Sequence, residues 1–142
     1  PQHKAYFDEW IEPHLDDHHV TYLGLLSQRD LAPQYQRAMA VLFPISWCEP
    51  CSMVGIEAQC SGTPIIGTRY GYLPELIKHG ETGFLVDSVE EAVEAVRRLP
   101  EIDPLACRAN IVARFSASTM AAGYERVYRG LVGKEAASAT LR

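Results

Sequence analysis

The sequence predicts an α/β fold, a Rossmann-like parallel sheet with helices on both faces, on three observations. Short apolar runs recur at "VTYLGLL" (Val20–Leu26), "VLFPIS" (Val41–Ser46), "TPIIGTR" (Thr63–Arg69) and "TGFLVDS" (Thr82–Ser88). Segments of helical period separate them. The runs are apolar throughout rather than alternating, as strands covered on both faces require. A length of 142 residues suits one domain. Its boundaries are expected at 1–133, with four strands and the C-terminal helices, followed by a small, polar, frayed tail at 134–142.

In chain order, Ala5–Leu15 places Tyr6, Phe7, Trp10, Ile11 and Leu15 on one helical stripe, which Pro13 shortens. "DDHH" reads as a polar loop, and Val20–Leu26 as the first strand. "SQRDLAPQYQRAMA" is helical, with Leu31, Tyr35, Ala38 and Met39 on one side. A buried strand follows at Val41–Ser46. Ser52–Cys60 is a helix that Gly62 stops, because glycine accepts left-handed backbone angles cheaply. Between the third and fourth strands "LPELIKHG" makes a short helix closed by Gly80. "SVEEAVEAVRRLP" is amphipathic: Ser88 caps it, Glu91 stands three residues on, and Val89, Ala92, Val93 and Val96 share a face. Helices at Pro104–Arg114 and Ser118–Leu131 complete the chain.

Composition excludes several functions. Hydrophobic residues make up 47 % and charged residues 22 %, ordinary for a globular protein. The net charge of −5 and the lack of any Lys/Arg-rich run argue against a nucleic-acid partner. No apolar run approaches the ~20 residues that span a bilayer. Four cysteines suggest a reducing, cytoplasmic setting rather than a disulfide scaffold. His18 and His19 follow Asp16 and Asp17, but adjacent loop histidines seldom share one ion, so no metal is expected. His3, His14 and His79 read as surface residues.

In a parallel sheet ligands sit beyond the carboxyl ends of strands, which directs attention to "SWCEPCSMVGIEA", Ser46–Ala58. Cys48 and Cys51 have the spacing of a dithiol oxidoreductase, and Cys48 lies between a strand and a helix. The surrounding chain does not fit that chemistry. Thr63-Pro64 comes too early for the proline loop that meets such a dithiol, and Glu49 between the thiols disfavours a thiolate. Two incidental thiols are the plainer alternative.

The second feature of this stretch is a pair of carboxylates at an expected helix start. The amides of Ser52, Met53 and Val54 lack intrahelical partners there and favour an anion, above all a phosphate. Glu49 precedes them, and a carboxylate beside a phosphate is suited to accepting hydrogen bonds from sugar hydroxyls. Glu57 lies about one and a half turns in and can reach a second polyol such as a ribose. The alternatives are an exposed helix glutamate at Glu57 and a loop carboxylate capping the helix at Glu49. Spacing alone does not separate these readings.

Four motifs in order add a resemblance. Glu49-Pro50 with Glu57-Ala58 makes an E-x7-E pattern, and Cys60-Ser61-Gly62-Thr63-Pro64-Ile65-Ile66 follows. Then come Gly71-Tyr72-Leu73-Pro74-Glu75-Leu76 and Gly80-Glu81-Thr82-Gly83-Phe84-Leu85-Val86. From Val20 to Val86 the chain resembles the C-terminal, donor-binding half of a retaining GT-B glycosyltransferase of family 4 (glycosyl transferases group 1). "VTYLG" and "FSASTMAAGYERVYRGLV" also resemble that family.

The resemblance implies a nucleoside-diphosphate sugar as donor substrate, an acceptor hydroxyl and no metal. Glu49 would bind hydroxyls of the transferred sugar as the catalytic carboxylate. The amides of Cys51, Ser52, Met53 and Val54 would hold the sugar and diphosphate, and Gly71 would keep the backbone close to the donor. Glu57 would take the ribose hydroxyls, and Gly24, Leu25 and Leu26 would lie near the base. Ser52 and Tyr72 stand where the family favours glycine, which puts the choice of donor sugar in doubt.

Against that family pattern the chain starts in mid-domain, without two strands that would carry a basic pair. It also lacks the acceptor-binding N-terminal domain, a partner that reaches the membrane periphery in some settings. The expectation is therefore a part of a larger enzyme, inactive alone and open to self-association through exposed sheet edges. The remaining alternatives are a nucleotide-binding module without catalysis and a purely structural domain.

Overall fold

The computed structural model describes residues 3–139, with side chains to Val132. The chain forms two compact units, Pro1–Leu31 and Ala32–Arg142, and the division falls within one helix.

The first unit holds helix α1 (Lys4–Trp10), a 3-10 turn at Glu12–His14, and the start of α2 (Gln28–Arg37). Pro13 stands at the head of the 3-10 turn, so the expected helix to Leu15 stops early. The Asp16 carboxylate then organises the polar loop. It accepts the backbone N–H of His18, His19 and Val20 and pairs with His19 Nδ1 at 2.8 Å. These bonds, the Val20 N–H foremost, hold the Asp16 carboxyl well below the usual carboxylate range.

The strand expected at Val20–Leu26 does not form. Asp16 takes the N–H of Val20, and the Val20 carbonyl accepts from Asp16 and Asp17. Backbone groups used in this loop cannot join a ladder, and among the described residues no strand pairs with it. The segment runs exposed, with Leu25 fully so. Its apolar residues gave a strand pattern without a sheet to receive it.

The second unit carries three strands, not the four expected: β1 (Val41–Phe43), β2 (Ile65–Thr68) and β3 (Gly83–Val86), parallel and in that order across the sheet. Register pairs Val41 with Ile65 and Ile66 with Phe84. Between the strands lie α3 (Met53–Cys60) and α4 (Leu73–Leu76); α5 (Val89–Arg98), α6 (Pro104–Phe115) and α7 (Ala117–Ala139) follow. Helical backbone thus continues over most of the span expected as a tail from 134. Residues 140–142 lie outside the described residues.

Strands β2 and β3 are covered on both faces, whereas β1, expected to be a buried strand, is only half-buried and leaves Leu42 exposed, since no helix packs over that side of it among the described residues. Ile66, Phe84 and Val86 pack with Ala95 of α5 and with Leu99, Ile102 and Cys107. Ile65 and Gly67 turn the other way, Ile65 against Gly55 of α3 and Gly67 against Leu73 and Ile77. The Ser88 cap falls where the sequence places it, Oγ accepting the Glu91 N–H, and Asp103 caps α6 by accepting that of Leu105. Gly62, at φ 88°, ends the α3 corner in the left-handed region.

A buried polar chain joins the helical layer to the sheet. Gln59 Nε2 donates to the carbonyl and hydroxyl of Thr82 at 3.2 Å. Asn110 Nδ2 donates to Gln59 Oε1 at 3.1 Å and to the Leu76 carbonyl at 3.0 Å. Arg114 completes the chain, donating to Asn110 Oδ1 and the Glu75 carbonyl. Beside it Cys107 is fully enclosed, and burial pushes its thiol up to about 11. No buried side-chain polar atom among the described residues lacks a partner.

Asn110→Leu keeps the volume but strands Gln59 Oε1 and the Leu76 carbonyl. It is expected to lower stability by about 2–3 kcal/mol, read as a reduced urea midpoint at unchanged m-value.

Candidate functional site

The site forms where the chain leaves β1 and β2 at their carboxyl ends. Ile45 is buried there, and its carbonyl accepts the Thr68 hydroxyl, tying the two strand ends together. The chain then turns tightly, the Glu49 N–H donating to the Trp47 carbonyl at 3.0 Å. Trp47 Nε1 donates to Glu49 Oε2 at 2.8 Å, which orients the carboxylate.

The turn after β2 presses on this loop from the other side. Gly71 has φ 55°, and a Cβ placed on it would overlap the backbone N and O of Glu49. Only glycine fits both the angle and the gap. The Tyr72 N–H donates to the Glu49 carbonyl at 3.0 Å, and the Tyr72 hydroxyl donates to the Ser52 carbonyl at 3.0 Å. Burial, helped by nearby Cys51 and Glu49, pushes the Tyr72 phenol above its ordinary value, so it remains a proton donor. Glu49 and Ser52 are thereby both fastened to one turn.

Helix α3 begins at this point with an open N-terminus. Ser52 is its N-cap, but no side chain caps it and its first turn holds no acidic residue. Among the described residues, no backbone partner is recorded for the amides of Cys51, Ser52, Met53 or Val54. Cys51, Met53 and Val54 are exposed and Ser52 is half-buried. Gly55 lets the helix approach the Tyr72 hydroxyl, Leu76 and Ile65.

The two carboxylates have different neighbours. Glu49 is half-buried beside Trp47 and Tyr72. Glu57, also half-buried, lies four residues beyond Met53, about 6 Å along the helix axis. It faces Tyr35, whose phenol is pushed up by burial and secondarily by the Glu57 charge. Gly24, Leu25 and Leu26 belong to the unit Pro1–Leu31, which is described by itself.

The sequence assigns no role at this site to two residues that help to build it, Tyr72 and Trp47. Tyr72 stood out only as a departure from glycine, yet it is the bolt between loop and helix. Trp47 is an exposed aromatic whose indole N–H finds the carboxylate two residues on. Among the described residues no group of three or more His, Cys, Asp or Glu side chains could hold a metal ion. No helix among them is long and apolar enough to cross a membrane.

Gly71→Ala puts a methyl group into the Glu49 backbone and strains its own. The expected result is a loss of about 2 kcal/mol or more in chemical denaturation, with amide shift changes concentrated at residues 47–52.

The glycosyl transferases group 1 family model matches residues 1–114. A D-inositol 3-phosphate glycosyltransferase of Corynebacterium diphtheriae is 38 % identical over 89 residues, 61 % of this chain and 21 % of that protein. Spore coat protein SA of Bacillus subtilis is 27 % identical over 84 residues, 59 % of this chain and 22 % of that protein. The chain thus spans about a fifth of the length of these relatives. Among solved structures, sucrose-phosphate synthase from Thermosynechococcus elongatus superposes with a TM-score of 0.66 at 29 % identity, over 81 % of this chain and 31 % of that one. With four fifths of its length matched by one family model and its sheet shared with a GT-B enzyme, the chain belongs to the glycosyl transferases group 1 family.

Proposed function

We propose that this chain is the donor side of a retaining, family 4 glycosyltransferase that moves a sugar, a hexose in this reading, from a nucleoside diphosphate to an acceptor hydroxyl. One observation carries the reading. The open N-terminus of α3, the Glu49 loop and the Gly71–Tyr72 turn converge at the carboxyl ends of neighbouring parallel strands.

An uncapped helix start supplies fixed N–H dipoles where a diphosphate needs them. As the bond to the anomeric carbon breaks, negative charge grows on the leaving diphosphate. Dipoles already in place stabilise that charge without reorganising. In this reading the amides of Cys51 to Val54 take the sugar and the diphosphate. Glu49, held by Trp47 and by the clamp on its backbone, accepts hydroxyls of the transferred sugar. Glu57 accepts the ribose hydroxyls. Gly71 acts through Glu49, keeping its backbone where the donor requires it. The reaction as proposed uses no metal. The acceptor and the cations opposing the diphosphate come from the rest of the enzyme, so the isolated chain turns nothing over. A cytoplasmic setting is part of the same proposal.

The dithiol alternative rests on Cys48 and Cys51, both exposed. It predicts that Cys48→Ser with Cys51→Ser abolishes function in the full-length enzyme.

The test of the donor reading is calorimetric titration of nucleoside diphosphates into the full-length enzyme. Glu57→Ala is expected to weaken binding about tenfold or more by removing the polyol acceptor. Glu49→Ala is expected to leave that affinity within about twofold while lowering kcat about a hundredfold, since its partner is the sugar. Undiminished nucleotide affinity in Glu57→Ala would reject the assignment.

A further inference from the structure

Strand β3 ends the sheet, and among the described residues only a single parallel bridge, His79 to Gly83, lies beyond it, so its outer edge should offer free backbone groups. Four successive backbone groups, on Gly83, Leu85 and Asp87, are nonetheless taken. The Gly83 carbonyl accepts from the Gly80 N–H at 2.8 Å. The Leu85 N–H donates to His79 Nδ1 at 3.1 Å, and the Leu85 carbonyl accepts from Arg69 Nη2 at 3.2 Å. The Asp87 N–H donates to Glu91 Oε2 at 2.8 Å. Three of these partners are side chains drawn from three different segments.

The side chains are themselves held in place. Arg69 Nε donates to Asp87 Oδ2 at 2.8 Å, and the Glu91 N–H donates to Ser88 Oγ. The His79 ring meets Phe84 edge-on at 5.7 Å, and Arg98 lies 4.9 Å over the same Phe84 ring. A cleft of about 290 Å³ runs between these groups and α5.

We propose that His79, Arg69 and Glu91 form an edge guard. They occupy the positions a further strand would take and exclude pairing of β3 with a second copy of this chain. Nδ1 accepts the Leu85 N–H with the ring proton on Nε2. The charged groups around the ring are Arg69, Asp87 at the end of β3, and Glu91, Glu94 and Arg98 on α5, with the Lys78–Glu81 pair in its own loop. The unguarded segment Gly83–Val86 is apolar and extended, which suits edge-to-edge addition. The sequence expectation is self-association through exposed sheet edges; this geometry withholds the β3 edge from it.

The test is residue-resolved amide hydrogen exchange on the full chain, with sedimentation velocity alongside. In His79→Ala, Leu85 is expected to exchange about tenfold faster or more, with Ile66 and Phe84 unchanged. Arg69→Ala with His79→Ala is expected to dimerise where the wild type does not. Leu85 protection that is indifferent to His79 would overturn the proposal, as would a folded double variant that stays monomeric. Should the double variant fail to fold, Leu85 exchange in His79→Ala decides alone.

Discussion

The contact on which the site depends is the approach of the Gly71 turn to the backbone of Glu49. It is a backbone-on-backbone contact, so no side-chain rotation can relieve it. It explains why Tyr72 can reach both Glu49 and Ser52. The N-terminus of α3 inherits its direction from this clamp at one end and from the close approach of Gly55 to Ile65 at the other. Remove the clamp and the remaining features persist as separate pieces: a helix start, a carboxylate and a turn.

The second unit rests on a different device. Parallel strands of three or four residues bury little surface by themselves, and their helices must be fastened to them. The apolar face against α5 does this through packing alone. The other side uses the Gln59–Thr82–Asn110 chain, in which one buried amide serves two partners. Apolar contacts tolerate small slides; this chain specifies which turn of α6 meets which turn of α3. Its cost is that each member depends on the others, since a buried polar group without a partner is expensive.

Much of this was legible in the sequence where local signals and tertiary demands agree. The apolar runs at Ile65 and Gly83 became strands because helices on both sides gave them somewhere to be buried, while the run at Val41 formed a half-exposed strand against Ile65. Ser88 capped its helix because a hydroxyl at that position needs only local backbone. Glycine at Gly62 was readable for the same reason. The run at Val20 misled because its composition is that of a strand, while its hydrogen bonds went to Asp16, a competitor a few residues away that periodicity does not weigh. The polar chain through Gln59 and Asn110 was invisible: a glutamine and an asparagine on helices look solvent-facing until distant segments close over them. Tyr72 was legible as an exception and not as a function, because its two partners are Glu49 and Ser52, some twenty residues away in sequence.

The hydrogen bonds of Tyr72 have a mechanical consequence. They join two pieces of chain some twenty residues apart in sequence, so the Glu49 loop, the head of α3 that follows it and the turn after β2 move together as one block. If this part of the protein swings during a working cycle, the hinge has to fall outside that block, and whatever the block holds is carried along without its grip being altered.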